Sequence, residues 1–150
     1  MSRARATQVV TAFLRHDGKI AIVRRSGRVR TYQGKWSGIS GYLPEGADPL
    51  SHALQEILEE TGLTAAQLRL AGRAEPVALY DEAQDRRWLV HGFLFDVRTP
   101  QLRLDWEAVE QRWIDPAELP AYDCVIGLKE VYEAALAGER EAGGSFPALP

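Results

Sequence analysis

Gly41-Tyr-Leu-Pro-Glu-Gly-Ala-Asp-Pro-Leu-Ser-His-Ala-Leu-Gln-Glu56-Ile-Leu-Glu59-Glu60-Thr-Gly62-Leu63 is the stretch on which the reading of this chain turns. Asp48 is a good N-cap, with a side chain able to accept an orphan backbone N–H, and Pro49 suits the first helical position. Gly62 supplies the exit. Between them Leu50, Ala53, Leu54, Ile57 and Leu58 recur at helical spacing and predict one apolar stripe packed on a sheet. The opposite side is expected to carry Glu56, Glu59 and Glu60, spaced i, i+3 and i+4, with no Lys or Arg from Pro49 to Leu63 to neutralise them. An acidic outer face is ordinary solvated surface in many helices. Three carboxylates in one turn are also the outline of a site for a hard divalent cation, which takes oxygen ligands and relieves their repulsion.

Working outward, Gln8 to Arg15 and Lys19 to Arg25 are β-rich runs joined by His-Asp-Gly, a good hairpin connection. Ser26 to Lys35 reads as a loop with Arg28 and Arg30, and Trp36 opens a short strand that delivers Gly41 to the helix. Leu68 to Tyr80, Trp88 to Val97 and Arg112 to Ile114 read as further strands, with polar Asp81 to Arg87 as a mobile connection. Asp115-Pro116 opens a turn. Asp123 is expected to cap a last helix from Cys124 to about Ala137, its apolar positions being Val125, Leu128, Val131, Tyr132 and Leu136. The order suggests an α/β fold in which a mixed sheet lies between two helices. At 150 residues and 45% hydrophobic, the chain suits a single domain, 1–150, with a core over about 7–137 and a loose tail over 138–150.

Composition narrows the function classes. A net charge of -3 argues against non-specific nucleic-acid binding. Cys124 is the only cysteine, so no intramolecular disulfide forms, and no His/Cys cluster stands at zinc-ligand spacing. The apolar run before Arg15 is too short for a signal segment or a membrane span. A cytoplasmic protein is expected. Trp36, Trp88, Trp106 and Trp113 read as core in preference to base-stacking platforms. His52 and His91 show no evident partner. Arg24, Arg28 and Arg30 read mainly as solvated charge.

The quoted stretch resembles the Nudix box, G-x5-E-x7-R-E-U-x-E-E-x-G-U with U a bulky aliphatic. Gly41, Glu56, Ile57, Glu59, Glu60, Gly62 and Leu63 fall on its marked positions. Ala47 stands where the first Glu belongs and Gln55 where the Arg belongs, flanked in the first case by Glu45 and Asp48. The resemblance implies a Nudix-like α/β/α sandwich. It also implies a metal-dependent hydrolase that uses Mg²⁺ or Mn²⁺ to cleave the pyrophosphate bond of a nucleoside diphosphate linked to another group X. Glu56, Glu59, Glu60 and the Ser40 carbonyl would hold metal, and Arg25 would meet substrate phosphate. Glu107 would be general base or metal ligand, with Glu56 as the other candidate base. The expected partner is a small nucleotide derivative, not nucleic acid or membrane, and a homodimer lies within the family's range. Ala47 and Gln55 instead suit a non-catalytic module that binds a nucleotide or ADP-ribose. An isopentenyl-diphosphate isomerase ranks below both, because Cys124 lies far from the box.

Overall fold

A computed structural model describes residues 5–139. Strands β1 (Thr7–His16) and β2 (Lys19–Arg25) form an antiparallel hairpin. Its turn residues Asp17 and Gly18 both have positive φ, 50° and 77°, which is the backbone a two-residue hairpin of native twist requires. Two short strands follow, β3 (Trp36–Ser37) on β2 and β4 (Ile39–Tyr42) on β1. Helix α1 (Pro49–Thr61) then leads to β5 (Leu68–Arg73), β6 (Val77–Asp81), β7 (Arg86–Val97) and β8 (Ala108–Ile114), and helix α2 (Leu128–Ala137) comes last.

The sheet is mixed. β1 runs parallel to β7 from Thr7 opposite Trp88 to Arg15 opposite Asp96, whereas β5 and β6 lie antiparallel to β7 and β8 antiparallel to β2. Alternation along the strands sorts the core into two layers, as a period of two demands. Val10, Ala12, Leu14, Ala21 and Val23 pack with Ala53 and Ile57 of α1. Phe13, Ile20 and Ile22 pack with Leu128, Val131, Tyr132 and Ala135 of α2. The expected sheet between two helices is therefore the architecture observed. No helix among the described residues is long and apolar enough to cross a membrane.

Helix α1 begins and ends as its sequence dictates. Asp48 accepts from the Ser51 backbone N–H at 2.9 Å, and Gly62 closes the helix in the left-handed conformation at φ 80°. The acidic face is placed differently from the expectation. Leu58, assigned to the apolar stripe, is half exposed, and the buried positions are Ala53, Ile57, Glu60 and Thr61. These stand at i, i+4, i+7 and i+8, so Glu60 lies on the sheet-facing side, not opposite it.

Other expectations need correction. The long strand over Leu68 to Tyr80 is two strands, broken by Ala74-Glu75-Pro76, because proline has no N–H for the ladder. Asp81 to Arg87 is no long connection: Asp81 ends β6 and is buried, Arg86 opens β7, and only a tight turn separates them. The last strand starts at Ala108, four residues before the predicted Arg112, since pairing with β2 extends that far. Asp123 caps no helix. Residues 123–125 pair in extended form with Trp36, through Trp36 N–H to Asp123 O and Val125 N–H to Trp36 O, both 2.9 Å. α2 accordingly starts only after Gly127, and Leu136 is partly exposed. The tail expected to be loose lies, beyond Glu139, outside the described residues.

Candidate active site

Helix α1, strand β4 and the segment before β8 converge on one cluster. Single carboxylate oxygens of Glu56, Glu60 and Glu107 all lie within 4.8 Å of one another. Glu56 and Glu60 come one turn apart on α1, Glu60 buried and Glu56 at the margin. Glu107 arrives from the far end of the chain, presented by a turn in which its backbone N–H donates to the Asp105 carboxylate at 3.0 Å. Gly41 makes room for the group. A Cβ built there would overlap the Glu56 carboxyl, so a side chain at this position would displace it.

The electrostatics are those of a crowded anionic site that Arg25 offsets only in part. Burial first, then the hydrogen-bonded Glu56 and the charges of Glu107, Glu56 and Asp105, push Glu60 far above the ordinary carboxylate range. Glu107 is also raised, by burial and by Asp105 and Glu56, against the opposing influence of Glu60 and Arg25. The crowding in the protein alone thus disfavours the charged form of Glu60. Among the described residues Glu60 Oε2 is buried without a protein hydrogen-bond partner. A buried, unpartnered oxygen in a ring of carboxylates matches the all-oxygen donor set of Mg²⁺ or Mn²⁺, so the residues present fit such an ion.

A cavity of about 450 Å³ opens beside the cluster. Glu56, Glu107, Ser40 and Gly41 line one end, Arg25, Arg28 and Arg30 flank it, and its apolar lining includes Val90 and Leu128. Arg25 is half-buried, and its Nε donates to Thr31 O at 2.9 Å. Burial lowers its pKa while Glu60 and Glu107 counteract. Tyr32 and Trp88 form part of the wall. Burial and a 2.7 Å hydrogen bond to Asp81 push the Tyr32 phenol up to about 12.

Of the residues expected in the site, Glu56, Glu60 and Glu107 are brought together, and Ser40 and Arg25 line the same cavity. Glu59 is not in the cluster. It is exposed and accepts from Gln55 Nε2 at 3.0 Å. Arg24 meets Glu110 at the surface, whereas Arg28 and Arg30 stay exposed at the cavity mouth. Trp36 and Trp88 are core as expected, but Trp106 is 54% exposed and lines the cavity with Arg28 above its ring. His52 Nε2 is buried 3.1 Å from Glu56 Oε1 but makes no hydrogen bond among the described residues. His91 meets Gln8 at 2.9 Å. The i, i+4 spacing of His52 and Glu56 was a visible signal for the first. Nothing local announced Tyr32 or Asp81.

A family model described as NUDIX domain matches residues 4–135. A comparison with curated protein sequences gave no match. Among solved structures, a NUDIX hydrolase from Nitrosomonas europaea is 21% identical with a TM-score of 0.71, covering 91% of this chain and 92% of its own. A MutT protein from Methanosarcina mazei Go1 is 22% identical at a TM-score of 0.71, covering 89% and 94%. The E. coli dihydroneopterin triphosphate pyrophosphohydrolase is 14% identical at a TM-score of 0.71, covering 88% and 98%.

Proposed function

The chain belongs to the Nudix family, and from that premise we propose that it is a metal-dependent pyrophosphohydrolase acting on a nucleoside diphosphate linked to a group X. The observation that carries this is the triad of Glu56, Glu60 and Glu107, whose oxygens meet within 4.8 Å at the end of a cavity flanked by arginines. Glu56, Glu60 and Glu107 would hold Mg²⁺ or Mn²⁺, with the Ser40 carbonyl and Glu59 as further candidate ligands. When bound, the ion supplies charge neutralisation on the phosphoryl oxygens, the main requirement of phosphoryl transfer.

The chain's own groups supply the rest. Arg25 holds a phosphate oxygen on the cavity side, where a planar guanidinium suits a tetrahedral anion. Water attacks phosphorus, Glu107 takes its proton, and the anhydride oxygen leaves with the departing phosphate. Glu56 is the alternative base. The lone cysteine and the small-molecule cavity fit a cytoplasmic setting.

Glu56→Gln, Glu60→Gln and Glu107→Gln proteins, assayed with Mg²⁺ against ADP-ribose, dinucleoside polyphosphates, NADH, oxidised nucleoside triphosphates and sugar nucleotides, test the assignment. Turnover equal to the unsubstituted protein's would remove the roles given to these glutamates. One observation favours a binding module instead: Gln55 stands where the family carries Arg, and it bonds Glu59, which lies outside the cluster. Calorimetric binding of these nucleotides without any cleaved product after hours, with Mg²⁺ or Mn²⁺ present, would select the module.

A further inference from the structure

We propose that Tyr32, locked by Asp81 and Trp88, is a positioning residue that sets the arginine loop, and with it Arg25, over the phosphate end of the cavity. The inference rests on the proposed hydrolase function, because it assigns Arg25 and Glu107 their work there. Tyr32 OH donates to Asp81 Oδ2 at 2.7 Å and accepts from Trp88 Nε1 at 3.0 Å. Asp81 is buried at the end of β6 and Trp88 is buried in β7, so the anchor belongs to the sheet and the anchored group to the loop. Tyr32 also has φ 52°, a conformation that a non-glycine residue keeps only where its surroundings impose it.

From this pin the contacts run directly to the chemistry. Thr31, the preceding residue, accepts Arg25 Nε at 2.9 Å, and Tyr32 O accepts the Lys35 N–H at 3.2 Å. Arg25 and Lys35 then close the loop base, with Arg25 N–H to Lys35 O and Gly34 N–H to Arg25 O, both 2.9 Å. Ser26 N–H donates to Glu107 O at 2.8 Å, tying the same loop to the backbone of the candidate base. Released at Tyr32, the loop would lose the fixed aim of Arg25, so ground-state and transition-state binding of the phosphates would weaken together. That pattern raises KM and leaves kcat nearly unchanged.

The experiment uses Tyr32→Phe, Asp81→Ala, the double variant, and Asp81→Asn, which keeps an acceptor oxygen. Tyr80→Phe is the control, since it removes an exposed tyrosine hydrogen bond from the same hairpin. Binding of α,β-methylene-ADP with Mg²⁺ is measured by calorimetry, kcat and KM on the best substrate of the panel, and loop opening by amide hydrogen exchange. Tyr32→Phe and Asp81→Ala should each weaken binding and raise KM by roughly three- to tenfold, with kcat within about twofold. The double variant should be no worse than either single, Asp81→Asn should recover most of the loss, and Tyr80→Phe should change nothing. Exchange at Ser26, Gly34 and Lys35 should quicken only where KM rises. Unchanged exchange in this loop would overturn the proposal, as would a loosened loop with unchanged KM. A wild-type protein that neither binds the analogue nor cleaves any substrate would refute the hydrolase function, and the exchange data would still judge the pin by itself.

Discussion

Asp96 and Glu60 are both carboxylates largely withdrawn from water, yet the fold treats them in opposite ways. Asp96 lies at the last paired step of β1 and β7, where Arg15 Nε meets it at 2.7 Å and Arg69 also bonds it, and Glu139 takes the other side of Arg15. Burial alone would raise its pKa, but the hydrogen bonds and charges of the two arginines outweigh that and hold it below the usual range. Among the described residues no arginine forms an ion pair with Glu60, and it is pushed upward by burial and by neighbouring carboxylates. One region balances its charge from within, so it is structural. The other leaves its carboxylates crowded, as the proposed cation site requires, at some cost in stability to the protein alone.

The largest effect should separate these regions by activity. Glu56→Gln or Glu60→Gln is expected to lower Mg²⁺-dependent kcat by about 10³-fold or more, with loss of Mn²⁺ uptake in titration and little loss of metal-free Tm. Asp96→Asn should do the reverse. It should cost about 2–3 kcal/mol in urea unfolding because Arg15 and Arg69 each lose a charged partner, with turnover per folded molecule within about twofold. Equal loss of turnover in both variants would erase the contrast.

A third comparison adds the ion. Saturating Mg²⁺ should stabilise the wild-type protein by about 2 kcal/mol at a large excess over Kd, and should leave Glu60→Gln unmoved. Smaller still is the pH dependence, whose sign differs between the regions. Asp96 has a folded pKa below its unfolded value near 3.9, so its contribution is present above that value and lost as pH falls through the folded pKa. Glu60 and Glu107 have raised folded values, so their favourable contribution is present below an unfolded value near 4.3 and fades as pH rises. Metal-free urea unfolding across this range should show Asp96→Asn flattening the acid limb and Glu60→Gln flattening the decline above it.

Much of the fold was legible because it is written in local chemistry. The Asp48-Pro49 entry, the Gly62 exit and the Asp17-Gly18 turn follow from short-range sterics and capping, and all three fall where expected. The site was legible only to the degree that it is local. Glu56 and Glu60 could be read as neighbours from spacing, but which helical face is buried depended on the sheet, and counting Leu58 as core turned the wheel the wrong way. Asp123 is a good cap by composition, yet pairing with Trp36 takes its segment into the sheet, a long-range contact that propensity does not foresee. Tyr32 lies 49 residues from Asp81 and 56 from Trp88, and its meeting with that hairpin follows from the topology.

The parallel alignment of β1 with β7 carries a consequence for biosynthesis. The first strand must wait for more than half the chain to emerge before its central neighbour exists, and Glu107 follows later still. Closing so distant a contact is slow relative to local hairpins and helices. A ribosome-bound intermediate would thus already display the acidic helix but no competent cradle, so divalent-ion affinity should report completed synthesis and not the early appearance of the helix that bears two of the proposed ligands.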